Sequence, residues 1–147
     1  NQGYPMPLEV TINRDSRSIP HGVVQGGSRL TVTFPAALPT DADPDAAVRT
    51  AFVDKHGTYA VRSVKDVIVH EMAHVIHRSA IGTRAGERFL AFSGDVPFGV
   101  ISKVSGYAMI SPMEFVAEAF VRIYRGETLD ADVMKLYQSY AGPEVRH

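Results

Sequence analysis

The chain has 147 residues, 45% of them hydrophobic, and its 15 basic and 16 acidic side chains give a formal net charge of −1. This balance gives no indication of a nucleic-acid surface or an anionic-membrane patch, and no apolar run reaches the length that spans a bilayer. Cysteine is absent, which excludes disulfides, thiolate metal sites and a cysteine nucleophile and leaves His, Asp and Glu as metal ligands. We therefore expect residues 1–147 to form one globular domain, monomeric and without a nucleic-acid or membrane partner.

The first third of the chain predicts two strands. Residues 1–7 show no charged segment followed by an apolar one, so we expect an excised domain or a processed product. Leu8–Ile12 and Arg29–Phe34 alternate apolar with polar residues, as half-buried strands do, and we expect them to pair. The polar, glycine-containing stretch Asn13–Gly27 is typical of an irregular connection.

One helix is predicted before the central part of the chain. Asp43 and Pro44 form an N-cap followed by proline at the first helical position, which predicts a helix to about Lys55. The short segment Gly57–Val61 is ambiguous and is compatible with a third strand.

A longer amphipathic helix is predicted over Val64–Ile81. Ser63 and Asp66 are typical of a capping-box-like start, and Gly82 suits the end of the helix. Apolar residues three and four positions apart supply its buried face: Val64, Val67, Ile68, Met72, Val75 and Ile76.

Within this helix, residues 70–74 form the pattern H-E-x-x-H. His70 and His74 lie one turn apart on one face, where two neutral imidazoles can hold a zinc ion and leave coordination positions open. Glu71 points about 100° round the helix from His70, beside the metal, where a general base takes a proton from water. The alternative is a buried helix whose histidines are only hydrogen-bonded. The metzincin subclass is excluded because Ala80 stands where its third histidine is required.

The last third predicts a loop and two helices. Residues 83–103 are rich in glycine and lack a clean apolar period, which predicts a folded loop with one helical turn at about Ala85–Ala91. The sequence Ser-Pro-Met-Glu at 111–114 is a strong helix start, and this helix should continue to about Arg125. An amphipathic pattern predicts a final helix over Asp130–Tyr140.

A catalytic zinc needs a third protein ligand, and Glu114 is the best candidate. Glu118 lies one turn further along the same helix, so both carboxylates can face the His70 helix. One can then bind zinc while the other accepts the free ring N–H of a ligand histidine. The alternative is that Glu114 only closes the helix start at Ser111 and Glu118 is solvated. The apolar residues between the two glutamates favour the metal site.

The chain resembles the gluzincin-type domain of anthrax lethal factor and the related clostridial Pro–Pro endopeptidases. Three matched features carry the resemblance: His70-Glu71-x-x-His74, the run Glu114-Phe-x-Ala-Glu118-Ala-Phe120, and Tyr107 seven residues before Glu114. The matched part covers about residues 64–125, and the first 60 residues show no match. Two departures, Met72 in place of an aromatic residue and the less polar turn at 75–77, do not touch the metal chemistry.

The resemblance implies the roles of six residues: zinc ligands His70, His74 and Glu114, general base Glu71, histidine-supporting Glu118 and oxyanion donor Tyr107. One Zn²⁺ ion per chain is expected. Together with the predicted elements, the resemblance implies an α+β fold, a small minigluzincin-like zincin domain. Its short β-sheet would pack on the active-site helix, with three further helices. The resemblance also suggests a secreted or extracellular, toxin-like protein.

The leading interpretation is a zinc endopeptidase, in which Glu71 takes a proton from water on the metal and passes it to the leaving amine. Zincins commonly bind a protein or peptide substrate as an added strand. The expected sheet edge comprises Arg29, Leu30, Thr31, Val32, Thr33 and Phe34. Two alternatives stay open: a non-catalytic zincin-fold module that binds a peptide or partner, and a zinc hydrolase acting on a non-peptide amide. Toxins, surface proteases, repressor-cleaving regulators and phage proteases could all use such ligands.

Overall fold

A computed structural model describes the backbone of residues 9–14, 21–25, 29–34, 45–46 and 59–146, with side chains for 45–46, 59–82 and 88–146. Within residues 59–146 it contains four α-helices: α1 Val64–Gly86, α2 Phe98–Ile101, α3 Pro112–Tyr124 and α4 Ala131–Ser139. Single 3-10 turns lie at Glu87–Phe89 and Tyr107–Met109. Among the helices described, none is long and apolar enough to cross a lipid bilayer.

The N-terminal strands are β1 Glu9–Arg14, β2 His21–Gln25 and β3 Arg29–Phe34. β3 is the central strand, parallel to β1 with Glu9 opposite Arg29, and antiparallel to β2 with His21 opposite Thr33. β2 lies in the stretch predicted to be irregular, so that prediction is wrong. Glycines beside this short strand hid its local signal, and pairing with β3 outweighs local preference.

The central place of β3 also corrects the expected substrate-binding edge. Its backbone pairs with β1 on one side and β2 on the other. A peptide adds to a strand only where backbone N–H and C=O groups are unpaired. The expected edge is therefore wrong for Arg29, Leu30, Thr31, Val32, Thr33 and Phe34.

For the part of the chain with described side chains, the predicted fold class, α+β with a short sheet packed on the active-site helix, is wrong. The part of the chain with described side chains is 61% helical and contains no strand. Tyr59–Val61, part of the ambiguous third strand, bonds to side chains instead. The Ala60 N–H donates to Glu118 Oε2 at 2.6 Å, and its carbonyl accepts from Arg125 Nη1. Because these side chains satisfy the backbone, no strand ladder forms there.

α1 begins as predicted. The Ser63 hydroxyl accepts the Asp66 N–H at 3.0 Å, and the Asp66 carboxylate accepts the Arg62 N–H at 2.9 Å. Gly82 adopts φ +71°, a left-handed conformation that favours glycine, and kinks the helix. The predicted end at Gly82 is therefore a kink, after which the helix continues to Gly86.

α3 is buried on both faces. The Ser111 hydroxyl accepts the Glu114 N–H at 3.2 Å, and Pro112 opens the helix, as predicted. One face packs in a cluster with α1: Ala60, Val61, Val67, Val69, Ala73, Ile76, Ala117, Phe120 and Val121. The other packs in a cluster with α2 and α4: Ile101, Val104, Ala108, Phe115, Val116, Ala119, Leu129, Val133 and Tyr137. Burial of both faces fixes α3 against α1 and so sets Glu114 and Glu118 relative to His70.

The remaining predicted elements have mixed outcomes. The final helix is confirmed as α4, Ala131–Ser139. The expected turn in the loop corresponds to the 3-10 turn Glu87–Phe89, but α2 was not predicted because four residues carry too little periodic signal. Of the helix expected from Asp43 to Lys55, residues 45–46 are helical and the others lie outside the described residues.

Candidate metal centre

Three donor atoms from α1 and α3 converge on one point. His70 Nε2 lies 3.0 Å from Glu114 Oε2 and 3.2 Å from His74 Nε2, and His74 Nε2 lies 3.3 Å from Glu114 Oε2. We call these atoms the donor triangle. Two come from consecutive turns of α1 and the third from the first turn of α3. His70 is buried, and His74 and Glu114 are half-buried.

The donor triangle has the dimensions of a zinc site. Bonds of about 2.0–2.1 Å to nitrogen and oxygen at tetrahedral angles place neighbouring donors about 3.3 Å apart. The observed edges of 3.0, 3.2 and 3.3 Å match one face of that tetrahedron. Two imidazoles and one carboxylate, without a thiolate, are typical of catalytic zinc. The residues therefore fit a zinc ion that keeps a fourth position for water or substrate.

The carboxylates determine the charge of the donor triangle. Burial lowers the pKa of His70, but hydrogen bonds and negative charge from Glu114 and Glu118 outweigh it and raise that pKa to about 10. Burial raises the pKa of Glu114, yet hydrogen bonds from His70 and His74 prevail and hold it far below its usual range. Glu114 is therefore anionic at neutral pH, the form that binds a cation.

The Glu118 carboxylate lies beside Nδ1 of His70, the ring nitrogen that is not in the donor triangle. This carboxylate is fully buried, and its Oε1 lies 2.9 Å from His70 Nδ1. Its Oε2 accepts the Ala60 N–H at 2.6 Å and the Ser105 hydroxyl at 2.7 Å. In the neutral imidazole, the form that binds a metal, a carboxylate facing Nδ1 keeps the one ring proton there and leaves the lone pair on Nε2, the atom in the donor triangle. The alternative in which Glu118 is solvated is wrong.

Tyr107 lies beside the donor triangle and opens the second 3-10 turn. Its ring centroid is 6.1 Å from that of His70 and 4.4 Å from that of Tyr59, on which it stacks at 23°. Burial raises the pKa of the Tyr107 phenol, and negative charge at Glu114 raises it further. The phenol therefore keeps its proton at neutral pH and can donate a hydrogen bond.

The general base predicted from the sequence, Glu71, follows His70 on α1 and is half-buried. Its negative charge contributes to the raised pKa of Tyr107, so the two side chains are within electrostatic range. The structure thus gathers all six predicted site residues of α1, α3 and the 3-10 turn into one region. The predicted strand Arg29–Phe34 is not among them, because its side chains lie outside the described residues.

Three contributions to the site were missed by sequence reasoning. The backbone N–H of Ala60 and the hydroxyl of Ser105 reach Glu118 across 58 and 13 positions of the chain. Tyr59 stacks on Tyr107, and burial together with the charges of Glu118 and Glu114 raises the pKa of its phenol. No local pattern marks Tyr59 or Ala60, and the only hint at Ser105 was its place two residues before Tyr107.

No protein-family model, curated protein or solved structure matches the chain. The resemblance to the gluzincin-type domains therefore stays a prediction that rests on the motif residues.

Proposed function

We propose that the protein is a zinc-dependent endopeptidase of the H-E-x-x-H type. The observation that carries this proposal is the donor triangle of His70, His74 and Glu114, whose edges of 3.0–3.3 Å fit zinc. The buried Glu118 carboxylate beside His70 Nδ1 orients this zinc ligand. The half-buried Glu71 carboxylate, directly after His70 in the chain, is the candidate general base for hydrolysis.

Each group around the triangle has a task in this proposal. His70, His74 and Glu114 would hold a zinc ion, which would act as a Lewis acid that lowers the pKa of water to near neutral and polarises a carbonyl. Glu71 accepts a proton from the attacking water and delivers it to the amine that leaves. Glu118 keeps the proton of His70 on Nδ1. The Tyr107 phenol donates a hydrogen bond to the oxyanion that develops on the peptide carbonyl.

Metal analysis of the purified protein tests the first part of the proposal. We expect about one zinc per chain in wild type and none in His74→Ala, because two remaining ligands hold the ion too weakly. Stoichiometric zinc in both His74→Ala and Glu114→Ala would exclude the triangle as the zinc site.

Glu71→Gln tests the second part and separates an enzyme from a binding module. The amide cannot take a proton from water, but no zinc ligand changes, so we expect full zinc content and almost no peptide hydrolysis. A peptide library cleaved by wild type supplies the substrate. Hydrolysis at the wild-type rate by Glu71→Gln would exclude Glu71 as the base, whereas zinc binding without hydrolysis by wild type would favour the binding module.

A further inference from the structure

The Ser105 hydroxyl is a buried polar group with no part in the chemistry described above. The residue is 3% exposed and lies in the connection between α2 and the second 3-10 turn. Its Oγ donates to Glu118 Oε2 at 2.7 Å and accepts the N–H of Ala108 at 3.0 Å. One hydroxyl therefore contacts both the carboxylate behind His70 and the turn that begins at Tyr107.

The donated hydrogen bond fixes the Glu118 carboxylate. Oε2 receives two hydrogen bonds, from Ser105 and from the Ala60 N–H at 2.6 Å. With Oε2 held from two directions, rotation of the carboxylate is restricted, and Oε1 stays 2.9 Å from His70 Nδ1. Loss of the Ser105 hydroxyl removes one of these two restraints.

The accepted hydrogen bond fixes the turn that carries Tyr107. Ala108 is fully buried, and its N–H has Ser105 Oγ as acceptor. The turn also closes through Ile110 N–H to Tyr107 C=O at 3.1 Å. The stacked Tyr59 ring then restrains the phenol from the side, and Tyr59 immediately precedes Ala60, the other donor to Glu118.

We infer that Ser105 is a positioning residue that couples the orientation of Glu118, and through it His70, to the placement of Tyr107. This inference rests on the proposed function for its catalytic meaning, since it concerns how the zinc ligand and the oxyanion donor keep their relative positions. Ser105 itself touches neither the donor triangle nor the substrate in this scheme; it acts through Glu118 and Ala108.

A double-mutant cycle on zinc affinity tests the coupling to Glu118, with zinc alone as the probe in competition with a chelator. Ser105→Ala should weaken zinc binding about tenfold, and Glu118→Gln on the order of 10–100-fold. In the Glu118→Gln background, Ser105→Ala should change the affinity by less than about twofold, because the group it orients is already lost. Equal effects of Ser105→Ala in both backgrounds, or none in either, would overturn the coupling.

A matched control lies in the same connection. Ser102 is exposed, and its hydroxyl donates to the Gly99 carbonyl of the α2 segment at 3.3 Å. Ser102→Ala should leave zinc affinity unchanged. If Ser105→Ala does not fold, Ser105→Cys keeps the size of the side chain with only a weak donor and enters the same cycle.

Metal-free protein provides a second readout that does not depend on zinc binding. With 3-fluorotyrosine incorporated, the ¹⁹F signal of Tyr107 is identified by its loss in Tyr107→Phe. Ser105→Ala should shift this signal. The shift that Glu118→Gln causes in the Ser105→Ala background should be at most half of the shift it causes in wild type. Additive shifts would overturn the inference even if zinc binds. A chain that binds no zinc but shows non-additive shifts would overturn the proposed function and leave the positioning role in place.

Discussion

At the scale of single residues, the Tyr107 phenol has the most specific predicted role. Its raised pKa keeps it protonated, and its stack on Tyr59 holds it beside His70. A donor that acts on the developing oxyanion stabilises the transition state more than the bound substrate. Tyr107→Phe should therefore lower kcat by about 10²–10³ and leave KM nearly unchanged, measured by steady-state hydrolysis of a cleaved peptide.

Tyr124→Phe is the matched control for this prediction. Tyr124 ends α3, ten residues after Glu114 and about 15 Å along the helix, so its phenol is remote from the donor triangle. We expect wild-type kinetics for Tyr124→Phe. A wild-type kcat in Tyr107→Phe, with zinc content intact, would leave Tyr107 a packing residue.

At the scale of elements, local chemistry predicted where the site helices begin. The hydroxyl of Ser63 and that of Ser111 cap α1 and α3 as their sequences indicated, because N-caps depend on neighbours three residues away. With both helices placed, the H-E-x-x-H spacing and the two glutamates were sufficient to predict the residues of the donor triangle. The helical turn α2 and the side-chain hydrogen bonds to the backbone of the segment Tyr59–Val61 were not predictable from local sequence.

Arg125 links the segment Tyr59–Val61 to the helices through hydrogen bonds. Its guanidinium donates to the Ala60 carbonyl, to Asp66 Oδ2 at 2.8 Å, and to the Glu127 carboxylate. A lysine cannot reach three acceptors in a fixed plane, so Arg125→Lys leaves at least one buried acceptor unpaired. We expect a loss of about 1–3 kcal/mol in the free energy of unfolding, measured by urea denaturation.

Arg146→Lys serves as the comparison for Arg125→Lys. Arg146 pairs with Glu144 at 3.3 Å, and both side chains are more than half exposed. The exchange at this exposed pair should change stability by less than about 0.5 kcal/mol. Equal stability losses in the two variants would show that Arg125 contributes no more than an exposed charge.

Arg122 and Arg125, at the end of α3, make the stability of the fold depend on pH through their contacts with Glu127. Burial raises the pKa of Glu127, but hydrogen bonds from Arg122 and Arg125 outweigh it and lower that pKa. A carboxyl whose folded pKa is lowered stabilises the fold above its unfolded pKa of about 4.3 and loses this contribution as pH falls through the folded value.

Glu127→Gln should therefore be less stable than wild type by about 1 kcal/mol or less at pH 6–8, because the group is partly exposed. The difference between the two proteins should shrink toward zero below about pH 4, measured by urea denaturation at each pH. A difference that stays constant down to pH 3 would contradict a lowered pKa at Glu127.

At the scale of the whole molecule, the parts that sequence reasoning missed depend on long-range contacts. Ala60 reaches Glu118 across 58 positions, and Arg125 reaches back to Asp66 across 59. Local periodicity carries no information about such pairs, which follow only from how the helices pack. The long-range pairing of His70 with Glu114 was predictable because a catalytic zinc requires a third protein ligand, and the in-phase pair Glu114 and Glu118 offered it.

That pairing also predicts how metal binding affects the stability of the whole fold. At the proposed site, zinc bound by His70, His74 and Glu114 would join α1 to α3, and the unfolded chain does not assemble this triangle. A ligand that binds only the folded state stabilises it by about 4 kcal/mol at a free concentration of 1,000 Kd. For a chain of this size, that corresponds to a rise in Tm of about 10 °C.

Thermal unfolding of chelator-treated protein, with and without added zinc, measures this rise. Glu71→Gln should show the same rise as wild type, because it keeps all three ligands, whereas His74→Ala should show almost none. Magnesium at the same concentration should leave Tm unchanged, since it prefers six oxygen ligands to two imidazoles. An equal rise in Tm in wild type and His74→Ala would mean that zinc stabilises the protein at another site, and it would exclude a zinc link between α1 and α3.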